Sequence, residues 1–250
     1  MRCLGFVELT ANHHPLAALV KRWAKHSGLS EEDRRAVLSL PVALKRFAKD
    51  AYLVREGHRT TDCSLILRGF AFRQKLLSNG SRQIISIHIP TEFVDLQNGL
   101  LTTADHNVQA IDGCEAAIIP RDALAALLAD RSAIRKAMWV ETLLDASIFR
   151  EWVVNVGRRD SRARIAHLLC EMTVRLRSIG YGQNGMFEFP LKQEQLADAT
   201  GLTPVHTNRT LQSLRKDGLI QLTGRSLTVL DWDRLREVAD FDELYLHHSV

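Results

Sequence analysis

The stretch Leu191–Gly218, LKQEQLADATGLTPVHTNRTLQSLRKDG, restricts this chain more than any other, because it spells two short helices joined at a tight corner. Leu196, Ala197 and Thr200 mark the inward side of the first helix, and Gly201 follows where a glycine relieves a strained turn. Thr203 is placed to cap the second helix, and Pro204 suits a first helical position that needs no donor. Leu211 and Leu214 supply its buried stripe, and Lys216-Asp217-Gly218 ends it. Val205, His206, Asn208 and Arg209 are left facing outward, and an arginine can grip guanine through two hydrogen bonds. These residues fit a helix-turn-helix that enters the major groove of double-stranded DNA, and equally an ordinary helical hairpin with a solvated face.

The following residues favour the first reading. Leu219–Leu222 and Ser226–Leu230 flank Thr223-Gly224-Arg225, a hairpin directly after the helix, hence a wing. Residues 158–225 carry eleven Lys/Arg against six Asp/Glu, so the local excess is positive although the whole chain is only +4. Lys192, Arg215 and Arg225 are the expected phosphate contacts.

At 250 residues the chain can bury two modest cores, and 46% hydrophobic with 25% charged residues suits a soluble globular protein. No apolar run approaches the roughly 18 residues of a membrane helix, and the start, MRCLGFVELTANHHP, lacks the apolar centre of a secretory signal. No membrane association is expected, and the cytoplasm is the expected location. Cys3, Cys63, Cys114 and Cys170 are too dispersed for a zinc or iron–sulfur site, and His13-His14 and His247-His248 read as solvated pairs. No metal and no cofactor are expected.

Before the hairpin, the texture changes twice. Residues 1–15 form a loose leader, and 15–39 read as helices broken at Gly28, with Ser30 capping an acid-rich start. From Leu44 to about Pro120 come short Val/Ile/Leu-rich runs with turns at Arg68-Gly69, Asn79-Gly80 and Asp112-Gly113, the pattern of a strand roll. Asp122–Leu128 is a short helix. Ser132 to Val156 then reads as one long helix, with Ile134, Met138, Leu144, Ile148 and Trp152 near one side, a stripe suited to pairing with a second copy or to packing on the chain's own strands. Gly157-Arg158-Arg159-Asp160 breaks that helix, Asp160 caps the next one, Ser161–Ser178, and Met186–Phe189 is a strand edge. The expected fold class is α+β. It comprises a jelly-roll-like β-roll sensor at 1–130, a dimerisation helix and hinge at 131–159, a winged helix-turn-helix at 160–235 and a tail at 236–250.

This order resembles the Crp/Fnr regulators from about residue 16 to 235, most closely in Arg159–Leu169 and Leu196–Leu211. The resemblance implies a homodimer whose reading helices enter successive major grooves about 34 Å apart on a palindromic operator. It also places Arg209 where the family's base-reading arginine sits, with Pro204, Val205 and His206 at the neighbouring variable positions. Thr207 and Thr210 are more polar than the family's usual helix underside. Members that bind cyclic AMP carry Gly-Glu and Arg-Ser pairs, where this chain has Val94-Asp95 and Ala104-Asp105. Without the arginine, the phosphate clamp is lost, so a cyclic nucleotide is not the expected ligand. Cys3 alone cannot hold the cluster of the oxygen-sensing members. The effector, if there is one, is not named by these residues.

The function expected is therefore sequence-specific regulation of transcription by a homodimer, with RNA polymerase as a further partner if it activates. A small-molecule sensor whose helical hairpin docks a protein is the alternative. The hydrolase, P-loop, zincin and dinucleotide motifs of enzymes are missing, so catalysis is not expected.

Overall fold

The computed structural model describes residues 14–182 and 186–247; the leader through His13, with Cys3, and also Gly185 and His248 lie outside the described residues. The chain divides into two compact units, one of residues 14–75 and 86–146 and one of residues 76–85 and 147–247.

The first unit begins with α1 (Ala17–Ser27) and α2 (Glu31–Leu38), separated by Gly28 at φ 57°, a left-handed conformation that glycine adopts without strain. Ser30 accepts the N–H of Asp33 while the Asp33 carboxylate accepts the N–H of Ser30, so the expected cap is reciprocal. Five strands follow along the chain, residues 76–85 among them being counted with the second unit: β1 (Ala43–Phe47), β2 (Tyr52–Val54), β3 (Asp62–Leu76), β4 (Arg82–His88) and β5 (Asn107–Pro120). They form one sheet in the order β1-β5-β3-β4, with β2 alongside β5. Asn79-Gly80 makes the β3–β4 turn, closed by Leu77 N–H to Ser81 O at 2.9 Å.

The turns expected at Arg68-Gly69 and Asp112-Gly113 are instead irregularities inside the two longest strands. β3 and β5 pair antiparallel through both sites, with register shifts around Arg68 and Gly69. Gly69 faces Cys114 there, and a Cβ on Gly69 would lie 2.4 Å from the carbonyl oxygen of Gly113. Both glycines have positive φ, so they mark where two strand backbones cross closely rather than where the chain reverses.

The sheet has two apolar sides. One packs Phe47, Val54, Ile66, Val94, Val108 and Ala116 together. The other meets α1, α2, α3 (Arg121–Asp130) and the start of α4 (Ser132–Arg158) in a core that includes Trp23, Phe93 and Leu124. Ile134 and Met138 belong to this second core. Trp152 is likewise buried, and Leu144 and Ile148 are half-buried. Of the stripe read from the sequence, Ile134, Met138 and Trp152 are thus covered by their own chain, while Leu144 and Ile148 are covered only in part, because α4 has two apolar sides and packs this one on its own chain. Trp139, Leu143, Phe149, Val153 and Val154 remain exposed on the other. The helix also runs through Gly157 to Arg158 before Asp160 starts the next one.

In the second unit, the Asp160 carboxylate accepts the N–H groups of Arg162 and Ala163 at the start of α5 (Ser161–Ser178). Strand β6 (Met186–Glu188), helices α6 (Gln193–Thr200) and α7 (Pro204–Lys216), and strands β7 (Ile220–Thr223) and β8 (Ser226–Val229) follow. The strands form a sheet in the order β6-β8-β7, and Ile165, Leu168, Leu169, Leu196, Leu211, Leu214 and Leu227 are buried. Order does not stop near residue 235. Helix α8 (Trp232–Ala239) is followed by a single 3₁₀ turn, Glu243–Leu246, and Phe241 and Leu246 are buried.

Cys63, Cys114 and Cys170 are free and buried, and burial pushes the thiols of Cys114 and Cys170 up to about 12. His167 on α5 is held neutral, its pKa lowered to about 3 by burial and then by the nearby Arg159. A folded value below the ordinary 6.5 means that the neutral ring stabilises the fold fully above pH 6.5. That contribution is lost as pH falls toward 3. Urea unfolding should therefore show a stability drop from pH 7 to pH 5 that His167→Gln reduces.

Candidate nucleic-acid interface

The candidate reading face is built from α7. The Thr203 hydroxyl accepts the N–H of His206 at 3.2 Å, and Pro204 occupies the first helical position. Thr203→Ala should cost about 1 kcal/mol of stability, measurable as a lower urea midpoint. Thr207, Thr210, Leu211 and Leu214 turn inward, with Thr207 fully buried. The expected contact residues Thr203, Pro204, Val205, His206, Asn208 and Arg209 all lie outward, and Val205 is 64% exposed. Among the described residues the Arg209 guanidinium makes no hydrogen bond or ion pair, so its donors are uncommitted.

Other side chains hold α7 in place. Gln193 donates through Nε2 to the Pro204 carbonyl at 2.8 Å. Arg162 donates to the Ser213 hydroxyl and to Asp217 Oδ2, the latter at 2.5 Å. Arg164 donates to the carbonyls of Arg159 and Thr200 at 2.8 and 3.2 Å, fixing the corner beside Gly201, which has φ 64°. Ser161 and Arg162 line one shallow depression together with Thr203, Val205, His206, Arg209, Thr210 and Ser213. Sequence reasoning missed Arg162 and Gln193, since no local spacing signals a partner fifty residues away or a bond across the turn.

The expected phosphate contacts are less uniform. Lys192 is exposed at the start of α6, where its backbone N–H is donated to Gln195 Oε1 at 2.9 Å. Arg215 lies on another side of α7, lining a depression with Gln212, Lys216, Ile220, Gln221 and Leu230. Arg225 sits at the wing turn but donates to the Pro190 carbonyl at 3.2 Å and lies 3.6 Å from Glu188, so part of its charge is spent on the wing. The first turn of α7 holds no acidic residue, and Asp217 at its end is paired with Arg162. The acids of α6 are answered too, Asp198 by Arg82 at 2.6 Å and Glu194 by Arg82 at 3.6 Å. Little negative charge is left unanswered beside the reading face.

In the first unit, the residues at the positions of a cyclic-nucleotide clamp are otherwise engaged. Asp95 is buried and accepts from Ser64 N–H at 2.7 Å, the Ser64 hydroxyl at 3.2 Å and Asn98 Nδ2 at 3.2 Å. Burial raises its pKa to about 7 against these donors. Arg73 donates to Asp145 at 2.9 Å and to the Val94 carbonyl at 3.0 Å. Ala104 is buried, and Asp105 is exposed and bonded to His106 at 2.6 Å.

Comparison with known proteins fits this geometry. Residues 163–238 match the Crp-like helix-turn-helix domain, and residues 44–131 match the cyclic nucleotide-binding domain. The transcriptional activator protein FnrL of Cereibacter sphaeroides is 28% identical over 194 residues, covering 76% of this chain and 77% of FnrL. The nitrogen fixation regulation protein FixK of Bradyrhizobium diazoefficiens is 25% identical, covering 77% of this chain and 80% of FixK. The solved structure of FixK2 from Bradyrhizobium japonicum superimposes with a TM-score of 0.74 at 23% identity, over 80% of this chain and 98% of that one. These relatives are regulators of transcription rather than enzymes, and no helix among the described residues is long and apolar enough to cross a membrane.

Proposed function

The chain belongs to the Crp/Fnr family of DNA-binding transcription regulators, and from that premise we propose that it acts in the cytoplasm as a homodimer on a palindromic operator. The observation that carries the reading is the first two turns of α7, whose outward side chains are exposed while Arg209 has no partner among the described residues. Arg209 suits the acceptor edge of guanine, Asn208 suits adenine, and the apolar Val205 suits the methyl group of thymine. Pro204 and His206 flank them. Lys192, Arg215 and the unspent part of Arg225 supply phosphate contacts that carry no sequence information.

The seam of the proposed dimer is the outer side of α4, where Trp139 and Leu143, and again Phe149 and Val153, recur four residues apart. Exposed apolar side chains at helical spacing gain most from a symmetric partner that offers the same surface. The double variant Leu143→Glu, Val153→Glu should sediment as a monomer and lose about a hundredfold or more in operator affinity, the size of a lost second half-site.

The roll does not bind cyclic AMP in this reading. Asp95 and Arg73 satisfy groups of their own protein, and Ala104-Asp105 stands where the resemblance would put the clamp's Arg-Ser pair. Whatever effector acts on the roll must bind one arrangement of the molecule better than another, since equal affinity shifts nothing. If the protein activates, RNA polymerase is a further partner, in line with the activator role stated for FnrL.

A gel shift of the full chain on its own upstream region tests the reading. Retardation should depend on sequence, and log K should fall with log salt at a slope of about −0.9 for each phosphate neutralised. Retardation indifferent to sequence, or none at any salt, would overturn it.

A further inference from the structure

The helix-turn-helix match ends at residue 238, yet the chain beyond it is built into the junction between α4 and α5. At the centre is Glu171 of α5, which is fully buried. Three elements donate to its carboxylate. Trp152 of α4 gives its indole N–H, at 3.0 and 3.2 Å from the two oxygens. Arg175 of α5 gives a guanidinium N–H at 2.8 Å, and Tyr245 of the last 3₁₀ turn gives its hydroxyl at 2.9 Å. The same hydroxyl oxygen lies 3.2 Å from His167 Nε2. Around this point the rings interlock: Tyr245 stacks on His167 at 5.8 Å, and Phe241 meets His167 edge-on at 5.1 Å. Arg159, between the two helices, bonds Glu151 at 2.7 Å and the Asp240 carbonyl at 3.1 Å.

We propose that residues 240–246 are a strap that sets the angle between α4 and α5, with Tyr245 and Glu171 as positioning residues for the reading helix. Neither touches DNA. The long helix and the reading head leave one another at Asp160, and a few backbone dihedrals there would leave the head free to swing. Trp152 and Tyr245 reach one carboxylate from the long-helix side and from the chain's last turn, so a swing of α5 against α4 breaks hydrogen bonds to a buried charge. Such bonds are the ones a protein loses at greatest cost. The strap thereby defines the separation at which two reading helices are presented. This inference rests on the dimeric DNA-binding reading.

Two measurements on the full chain test it, using Tyr245→Phe, which keeps the ring stack and loses the hydroxyl, and Tyr245→Ala. The first measures affinity for operators whose half-sites are moved one base pair closer or farther. A strap that only adds stability lowers affinity at every spacing alike. A positioning strap relaxes the preference, so discrimination between spacings shrinks in Tyr245→Phe and shrinks further in Tyr245→Ala. The second, amide hydrogen exchange, needs no DNA. Exchange in residues 156–164 should quicken about tenfold in Tyr245→Phe with α7 unchanged, the effect expected for one lost hydrogen bond to a charged group.

A Tyr245→Phe protein with the parent's spacing profile and the parent's junction exchange overturns the proposal, whether or not Tyr245→Ala folds. A parent protein that ignores operator sequence overturns the DNA-reading role instead. The exchange result then decides alone whether the strap holds the junction.

Discussion

Replacing Arg209 by alanine is expected to weaken operator binding by about 1–3 kcal/mol at each half-site and to erase the preference at one base pair in each. The proposed dimer would present the residue twice, so the loss should be felt on both sides of the operator. The effect should be confined to recognition, because Arg209 is exposed and bonds nothing else among the described residues. Unfolding by urea should match the parent. Lys192→Ala gives the contrasting result: affinity falls for all sequences alike, and the salt slope becomes shallower by about one for each half-site, hence by about two for a dimer. Fluorescence anisotropy on operator and scrambled duplexes at several salt concentrations separates the two. A footprint unchanged in Arg209→Ala would move the reading face off the first two turns of α7.

Glu171→Leu is expected to destabilise the second unit by about 3–5 kcal/mol, read as a lower urea midpoint at constant slope. Burial raises the carboxylate's pKa, so the ionised form is costly by itself, and its donors offset that cost. The first of these is the Arg175 charge, with the half-buried Tyr245 next. Leucine fills similar space but removes the carboxylate opposite Arg175, which is itself buried. Breaking one side of a buried pair costs more than never having had the pair. A Glu171→Leu, Arg175→Met double variant should recover much of the loss. If it does not, the hydrogen bonds from Trp152 and Tyr245 are the larger part.

The elements that local chemistry dictates were legible in the sequence. The Ser30 and Asp160 caps, the Asn79-Gly80 hairpin, the Thr203-Pro204 start and the wing all follow from side chains acting within four residues of themselves. The failures came where one local signal has two tertiary meanings. Gly69 and Gly113 look like turn glycines, but they permit a close crossing of two long strands. The apolar residues of α4 do form a helical stripe, yet periodicity cannot tell which of two apolar sides the protomer keeps for itself, so the stripe of Ile134, Met138 and Trp152 fits pairing with a second copy as well as packing on its own chain. Arg162, Gln193, Glu171 and Tyr245 gave no signal, because their partners lie far along the chain or across a turn.

The side chains that secure α7 are distinct from those it displays. Arg162 and Gln193 fasten its two ends, Thr207, Thr210, Leu211 and Leu214 fasten its underside, and none of them overlaps with Val205, His206, Asn208 or Arg209. If the displayed four read bases as proposed, exchanging them should alter which bases are favoured at little expense in folding. A lineage, or an engineer, can redirect such a regulator to new promoters in single steps, each intermediate remaining a well-folded protein.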